Sequence, residues 1–170
     1  MKLPEEEQRH TIVALVDNEP GVLARVIGLF SGRGYNIESL TVAQVDKARG
    51  LSRINIVTRG TPFVIEQIKS LLAKLVPVHR VQDLTIEGPH VERELALVKV
   101  AGTGEKRVEA LRLADIFRAK PVDTTTESFI FEITGAPEKI DSFVGLMREL
   151  GLVEVGRTGI VGMMRGAEGA

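Results

Sequence analysis

Apolar and polar positions along the chain follow two different periods. Short runs such as RHTIVALV, which is rich in β-branched residues, and LSRINIVTR, which alternates, are typical of strands. Elsewhere apolar residues recur three and four positions apart, as at Val22, Val26 and Leu29, which is typical of an amphipathic helix. In the first half these patterns predict, in order, a strand over 9–16, a helix over 20–30, strands over 37–45 and 51–59, a helix from Pro62, and a strand over 76–86.

The second half repeats this order after the charged stretch EGPHVERE, which contains a Gly-Pro pair and which we interpret as a linker. The order of strand, helix, two strands, helix and strand is the ferredoxin-like order, an antiparallel sheet with two helices on one face. We therefore expect an α+β protein of two tandem ferredoxin-like βαββαβ domains, 1–87 and 88–170. The predicted elements of the second half are a strand over 95–101, a helix over 105–119, paired strands over 122–125 and 128–134, a helix over 137–150 and a strand over 152–161.

The periodicity also predicts which side chains are buried. The run LSRINIVTR predicts a strand buried on one face, with Ile54 and Ile56 inward and Arg53 and Asn55 outward. Each domain is small and has sheet edges to cover, which favours dimerisation. The helix residues expected to face inward are Val64, Ile68, Leu71 and Leu75; Ala110, Leu113, Ile116 and Phe117; and Ile140, Phe143, Val144 and Met147.

Composition narrows the possible chemistry. The 22 basic and 23 acidic side chains give a net charge of -1, which argues against a nucleic-acid binder built on bulk positive charge. The chain has no cysteine, which excludes disulfides, thiol catalysis and Zn–Cys sites. Its three histidines, His10, His79 and His90, lack metal-ligand spacing, and no apolar run approaches the ~20 residues of a membrane-spanning helix. We expect a cytoplasmic protein with no catalytic residues, no metal site, and no nucleic-acid or membrane partner.

The stretch VDNEPGVLARVIGLF poses a question, because Gly21 falls in the first turn of the predicted helix, where glycine costs about 1 kcal/mol relative to alanine. In one interpretation Gly21 only eases a tight strand-to-helix turn. In the other, the missing side chain lets a ligand approach the free N–H groups of the helix N-terminus, which would hold an amino acid's carboxylate. The Asn18 side-chain oxygen or nearby carbonyls would then accept from its ammonium group, and Val22, Leu23 and Ile37 would contact an aliphatic side chain.

The patterns DNEPGVLARV and GYNIESL resemble an ACT domain, the amino-acid-sensing regulatory module. The longer stretch NEPGVLARVIGLFSGRGYNIESLTVA, together with HVERELALVKV and VEVGRTGIVGMMRG, resembles the small regulatory subunit of acetohydroxyacid synthase, also called acetolactate synthase. The resemblance runs from about His10 to Gly166, in both halves of the chain.

In that family a large subunit carries thiamine diphosphate, Mg²⁺ and FAD, and it condenses pyruvate with pyruvate or 2-oxobutyrate on the way to valine, leucine and isoleucine. The resemblance implies a small subunit without an active site or cofactor of its own, which raises the activity of the large catalytic subunit and confers feedback inhibition, usually by valine. It also implies a homodimer formed through ACT domains, with effector sites at the interface. The implied effector contacts are Asn18, Gly21, Val22 and Leu23 of one chain and Asn36 and Ile37 of the other.

Three other functions stay open at this point. A free-standing ACT-domain sensor that controls another partner would share the Gly21 site but not the HVERE and RTGIVG blocks. A ferredoxin-like RNA-binding module would need aromatic residues on its sheet, and aromatic residues make up 4% of the chain. An enzyme would need a catalytic constellation that the sequence lacks. For the effector site we expect Gly21→Asp to weaken valine binding while the fold survives, because like charges repel.

Overall fold

The computed structural model of the chain describes residues 5–169. The chain forms two compact units: the first is Met1–Val91 together with Ile160–Ala170, and the second is Glu92–Gly159. Each unit holds an antiparallel sheet, so the prediction of two tandem ferredoxin-like domains is confirmed. Residues 1–4 and 170, which the predicted domains include, lie outside the described part of the chain.

The first unit is built on a four-stranded sheet in the order β2-β3-β1-β4. Ile12 of β1 and Leu40 of β2 both lie opposite Ile56 of the central strand β3. These side chains pack against the two helices of the unit, α1 (Val22–Ser31) and α2 (Pro62–Ala73). The second of these helices begins at a Thr-Pro pair, where the Thr61 hydroxyl accepts a hydrogen bond from the Val64 N–H at 3.3 Å. The elements are β1 (Gln8–Asp17), α1 (Val22–Ser31), β2 (Ile37–Asp46), β3 (Leu51–Gly60), α2 (Pro62–Ala73), β4 (Val78–Asp83) and α3 (Leu84–Glu87).

The second unit has a core of stacked aromatic rings. Phe131 lies at its centre, with ring centroids 5.1 Å from Phe129 and 6.0 Å from Phe143. Its strands run in the order β6-β7-β5-β8. The remaining elements of the chain are β5 (His90–Ala101), α4 (Gly104–Ile116), β6 (Lys120–Thr124), β7 (Ser128–Gly135), α5 (Pro137–Glu149), β8 (Leu152–Arg157) and β9 (Val161–Met164).

Three predicted element boundaries are wrong. The strand β4 stops at Asp83 because the Asp83 carboxylate caps the short helix α3, accepting from the Thr85 N–H at 3.1 Å. The stretch EGPHVERE contains the division between the two units, as predicted, but most of it is strand rather than loop, since β5 already begins at His90. The last predicted strand, 152–161, is two strands, β8 and β9, with Gly159 between them at φ 90°.

The helices match the predicted burial unevenly. All four residues predicted to face inward from α5 are buried. In α2 Ile68 is buried as predicted, and Ile65 and Leu72 are buried beside it. The other residues predicted to face inward are half-buried and pack against the same core: Val64, Leu71 and Leu75. In α4 Ala110 is buried as predicted, and Ala114 is buried as well. Leu113 and Phe117 pack against the core as predicted, whereas Ile116 is exposed.

The strand β3 is buried on both faces, so the prediction of one buried face is wrong. On the face turned away from α1 and α2, β3 is contacted by residues 160–165, which we call the C-terminal strap, and α3 contacts the neighbouring strand β1. Asn55 Oδ1 accepts a hydrogen bond from the Gly162 N–H at 3.0 Å, and the Arg53 guanidinium donates to the Gly162 carbonyl. Burial lowers the pKa of the Arg53 guanidinium from its usual value.

The edge strand β2 holds the same strap through two hydroxyls. Ser39 Oγ accepts from the Ile160 N–H at 2.9 Å, and Thr41 Oγ1 donates to the Ile160 carbonyl at 3.3 Å. These contacts explain why residues 160–170 belong to the first unit, whereas the sequence assigned them to a second domain spanning 88–170. The units divide between Val91 and Glu92, and the predicted boundary falls after residue 87.

Candidate functional site

The loop between β1 and α1 brings Asn18 and Gly21 to the end of the first sheet. The Asn18 N–H donates to the Gly50 carbonyl at 2.8 Å, which ties the loop to the turn before β3. Gly21 adopts φ 85° and ψ -8°, the left-handed region that favours glycine, and it caps α1 from outside rather than lying in its first turn as predicted. A Cβ built on Gly21 would meet nothing within 4 Å, so the space beside the loop is open.

The N-terminus of α1 presents donors without side-chain acceptors. The N-cap residue of α1 is Gly21, which has no side chain to accept from these N–H groups, and no acidic residue lies in the first turn. The first N–H groups of a helix have no intrahelical acceptor and lie at the positive end of its dipole. Leu23 is partly open to solvent here, whereas the Val22 side chain is buried in the core of the first unit. The side chain of Val22 is therefore not available to contact a ligand as predicted, and only the backbone of Val22 lies beside the loop.

Asn18 is oriented by a residue that the sequence analysis did not single out. Ser52, the second residue of β3, donates from its hydroxyl to Asn18 Oδ1 at 3.1 Å, and Ser52 itself is 4% exposed. The neighbouring carboxylate of Asp17 is engaged as well, since its Oδ1 lies 2.6 Å from His79 Nε2. No local signal in the sequence marks Ser52, because it meets Asn18 only through the pairing of β1 with β3.

Asn36 and Ile37 lie at the other end of the same sheet. Ile37 is opposite Thr58 near the end of β3, whereas Asp17, next to the Asn18 loop, is opposite Leu51 at its start. Seven residues of strand separate these ends by about 23 Å. The structure therefore does not bring all six predicted effector residues together within one chain. The Asn36 carbonyl accepts from the Thr58 hydroxyl at 2.6 Å, and the Asn36 side chain is exposed.

The strand β2 is an edge of the first sheet and carries exposed apolar side chains. Val42 and Val45 are 42% and 57% exposed, and they follow Ile37 along the same strand. An edge strand presents unpaired N–H and C=O groups that can pair with a second chain. The two ends of β2 lie at the two ends of the sheet where the predicted effector residues are found.

Ionisable side chains elsewhere form hydrogen-bonded pairs that support the fold. In the first unit, His10 Nδ1 lies 2.7 Å from Asp83 Oδ2, and both residues are buried. In the second unit, a hydrogen bond to Glu94, and a further one to Asp141, raise the pKa of Arg157. Over residues 5–169 no cluster of three or more potential metal ligands is found, and no helix there has the length and apolar character needed to cross a bilayer.

Comparison with known proteins gives consistent similarities in both halves of the chain. Residues 12–80 match the family described as "AHAS small subunit-like ACT domain", and residues 93–166 match "Small subunit of acetolactate synthase". The Archaeoglobus fulgidus chain named "Probable acetolactate synthase small subunit" is 49% identical over 158 residues, which is 93% of this chain and 98% of that one. The Salmonella typhimurium "Acetolactate synthase isozyme 3 small subunit" is 47% identical over 159 residues, 93% of this chain and 96% of that one.

A solved structure shows the same likeness in three dimensions. The crystal structure of the acetolactate synthase small subunit from Thermotoga maritima matches with a TM-score of 0.84 and 41% sequence identity. The match covers 95% of this chain and 99% of that chain.

Proposed function

This chain belongs to the family of acetolactate synthase small subunits, and from that premise we propose that it binds valine and carries feedback inhibition to a catalytic partner. The resemblance seen in the sequence is thereby confirmed, and so is the expectation of a regulatory rather than a catalytic chain. The partner is the large catalytic subunit, which the name of a small subunit implies. In this proposal the small subunit also raises the activity of the large one, and thiamine diphosphate, Mg²⁺ and FAD belong to the large subunit.

The observation that carries the proposal is the open loop before α1. An amino acid's carboxylate needs hydrogen-bond donors and positive potential, and the N-terminus of α1 offers both beside a glycine whose missing side chain leaves room. The partly exposed Leu23 lies on the first turn and supplies an apolar contact for a branched side chain. The pocket is incomplete, because Asn36 and Ile37 of the same chain lie about 23 Å away.

A second copy of the chain supplies the missing half. If two β2 strands pair antiparallel with Val42 opposite Val42 of the partner subunit, the start of one strand comes next to the end of the other. Asn36 and Ile37 of the partner subunit then lie at the same end of the joined sheet as Asn18 and Gly21. The exposed Val42 falls at the centre of this interface. The dimer therefore unites the two sets of predicted effector residues.

The alternative of a free-standing amino-acid sensor is disfavoured by the second half of the chain. That half matches the small subunit of acetolactate synthase over residues 93–166, and a sensor for an unrelated partner has no need of this sequence. The argument against a free-standing sensor therefore comes from the second half of the chain, whereas the proposed pocket lies in the first half.

Calorimetric titration of the full chain with valine, and with leucine, isoleucine and aspartate alongside, tests the proposal. We expect saturable binding of valine, and valine inhibition of the catalytic subunit when the two are reconstituted. Absence of valine binding both to the chain and to the reconstituted complex would overturn the proposal.

The dimer is tested separately by sedimentation velocity. In Val42→Glu two carboxylates face each other across the interface and repel, so we expect a shift toward monomer and weaker valine binding. The matched control is Val76→Glu, which changes the same residue type at an exposed turn of the same unit and should leave the dimer intact. A dimer unaffected by Val42→Glu would exclude β2 pairing.

A further inference from the structure

The hydrogen bond between Ser52 and Asn18 fixes which atoms of the Asn18 carboxamide are free. Ser52 is buried, and over residues 5–169 Asn18 Oδ1 is the hydrogen-bond partner found for its hydroxyl. A buried hydroxyl proton needs an acceptor, since leaving it without one is costly. The amide nitrogen cannot accept, so the oxygen of Asn18 must face Ser52. The two N–H groups of the Asn18 amide are therefore directed away from β3.

This orientation reverses the role expected from the sequence. The sequence suggested that the Asn18 side-chain oxygen, or nearby carbonyls, would accept from a ligand's ammonium group. In the structure one lone pair of that oxygen already accepts from Ser52, and one oxygen of the nearby Asp17 carboxylate lies against His79. The donors that the loop directs toward a ligand are the Asn18 amide N–H groups and the first N–H groups of α1 after that of Val22, which donates to the Glu19 carbonyl at 3.4 Å.

We propose that Ser52 is a positioning residue of the effector site and that, through it, Asn18 donates hydrogen bonds to the ligand's carboxylate. This inference rests on the proposed function, because it assumes that the ligand is an amino acid bound beside Gly21. In this arrangement the Asn18 amide and the N–H groups at the start of α1 both donate hydrogen bonds to the ligand's carboxylate. The ligand's ammonium group then faces away from the loop. The site selects for a free carboxylate rather than for the amino group.

The variant Asn18→Asp discriminates between the two roles, because it keeps the shape and replaces the donors with a negative charge. If Asn18 faces the carboxylate, Asn18→Asp should lose valine affinity by about tenfold or more. It should bind valinamide, which has no carboxylate, at least as well as the wild type does. If Asn18 faces the ammonium group, Asn18→Asp should bind valine as tightly as wild type or more tightly, which would overturn the inference.

The role of Ser52 is measured with a pair of variants. Ser52→Ala removes the hydroxyl, so the Asn18 amide is free to rotate and valine affinity should fall by about threefold to tenfold. Ser52→Thr keeps the hydroxyl on a strand that tolerates β-branched residues and should restore the affinity. An equal loss of affinity in both variants, or the same loss for valine and valinamide in Ser52→Ala, would show that Ser52 only supports the fold.

The outcomes separate this inference from the proposed function. A wild-type chain that binds valine confirms the premise, and the variants then decide the roles of Asn18 and Ser52. If the wild-type chain and its complex bind no valine, the proposed function is refuted and the inference falls with it. Thermal unfolding of each variant shows whether a lost affinity reflects a lost fold.

Discussion

The C-terminal strap makes Asn55 important for the stability of the first unit, and Asn55→Ala tests this directly. Asn55 is 4% exposed, and its side-chain oxygen is the acceptor for the buried Gly162 N–H. Truncation leaves that N–H without a partner, which costs about 1–3 kcal/mol. For a unit of about 100 residues each kcal/mol lowers the midpoint of thermal unfolding by about 4–8 °C. We therefore expect Asn55→Ala to unfold about 4–24 °C below the wild type.

The chain contains its own probe for this measurement. Tyr35 is the single tyrosine, and the sequence has no tryptophan. Its ring packs edge-on against Phe30 with centroids 6.5 Å apart, and its hydroxyl donates to Gln67 Oε1 at 2.9 Å. Tyrosine fluorescence during heating therefore reports the unfolding of the first unit alone, whereas far-ultraviolet circular dichroism follows the helices and strands of both units.

The matched control is Asn36→Ala, which truncates an exposed asparagine of the same unit. Exposed substitutions usually change stability by less than about 0.5 kcal/mol, so its tyrosine transition should coincide with that of the wild type within a few degrees. If Asn55→Ala unfolds at the same temperature as Asn36→Ala, the hydrogen bond to Gly162 does not hold the strap, and the two-sided burial of β3 has another cause.

Three further predictions concern other parts of the chain. Gly21→Asp should abolish most valine binding, because its carboxylate repels that of the ligand. Gly21→Asn places an uncharged side chain of similar size on the same left-handed backbone and should retain more of the binding; equal affinities of the two variants in calorimetry would show that charge at this position is irrelevant. Phe143→Ala should destabilise the second unit by about 3–5 kcal/mol, seen by circular dichroism in denaturant, because its ring is fully buried against Phe131. The hydrogen bond from Arg112 lowers the pKa of Glu109, so its carboxyl should titrate in NMR below the usual range and return toward it in Arg112→Gln.

The sequence predicts elements well where one local pattern decides them. Helix α5 has proline at its start, a single apolar stripe and Gly151 just beyond its end, and all of its inward residues are confirmed. Helix α4 follows the same reasoning only in part, because its fully buried residues are alanines and Ile116, which was predicted to face inward, is exposed. An apolar residue on a helix predicts burial only when no smaller side chain permits a closer approach of the backbone.

The site shows the same division between local and distant determinants. The Pro-Gly pair marks a tight turn at Gly21 without tertiary information, although the sequence placed that glycine inside the helix and not before it in a left-handed conformation. The contact of Ser52 with Asn18 joins residues 34 apart, and that of Asn55 with Gly162 joins residues 107 apart. A polar residue on an alternating strand is read as solvent-facing, and only the tertiary structure reveals the backbone group that it binds.

The strap also has a consequence for how the chain is made. The second unit is one continuous segment, Glu92–Gly159, and can fold as soon as that segment has left the ribosome. The first unit begins to emerge earlier, but Arg53 and Asn55 have no partner until Gly162 has been synthesised. The part of the protein that is translated first is therefore completed last, and a nascent chain that stops before Gly162 leaves a polar sheet face of the first unit uncovered.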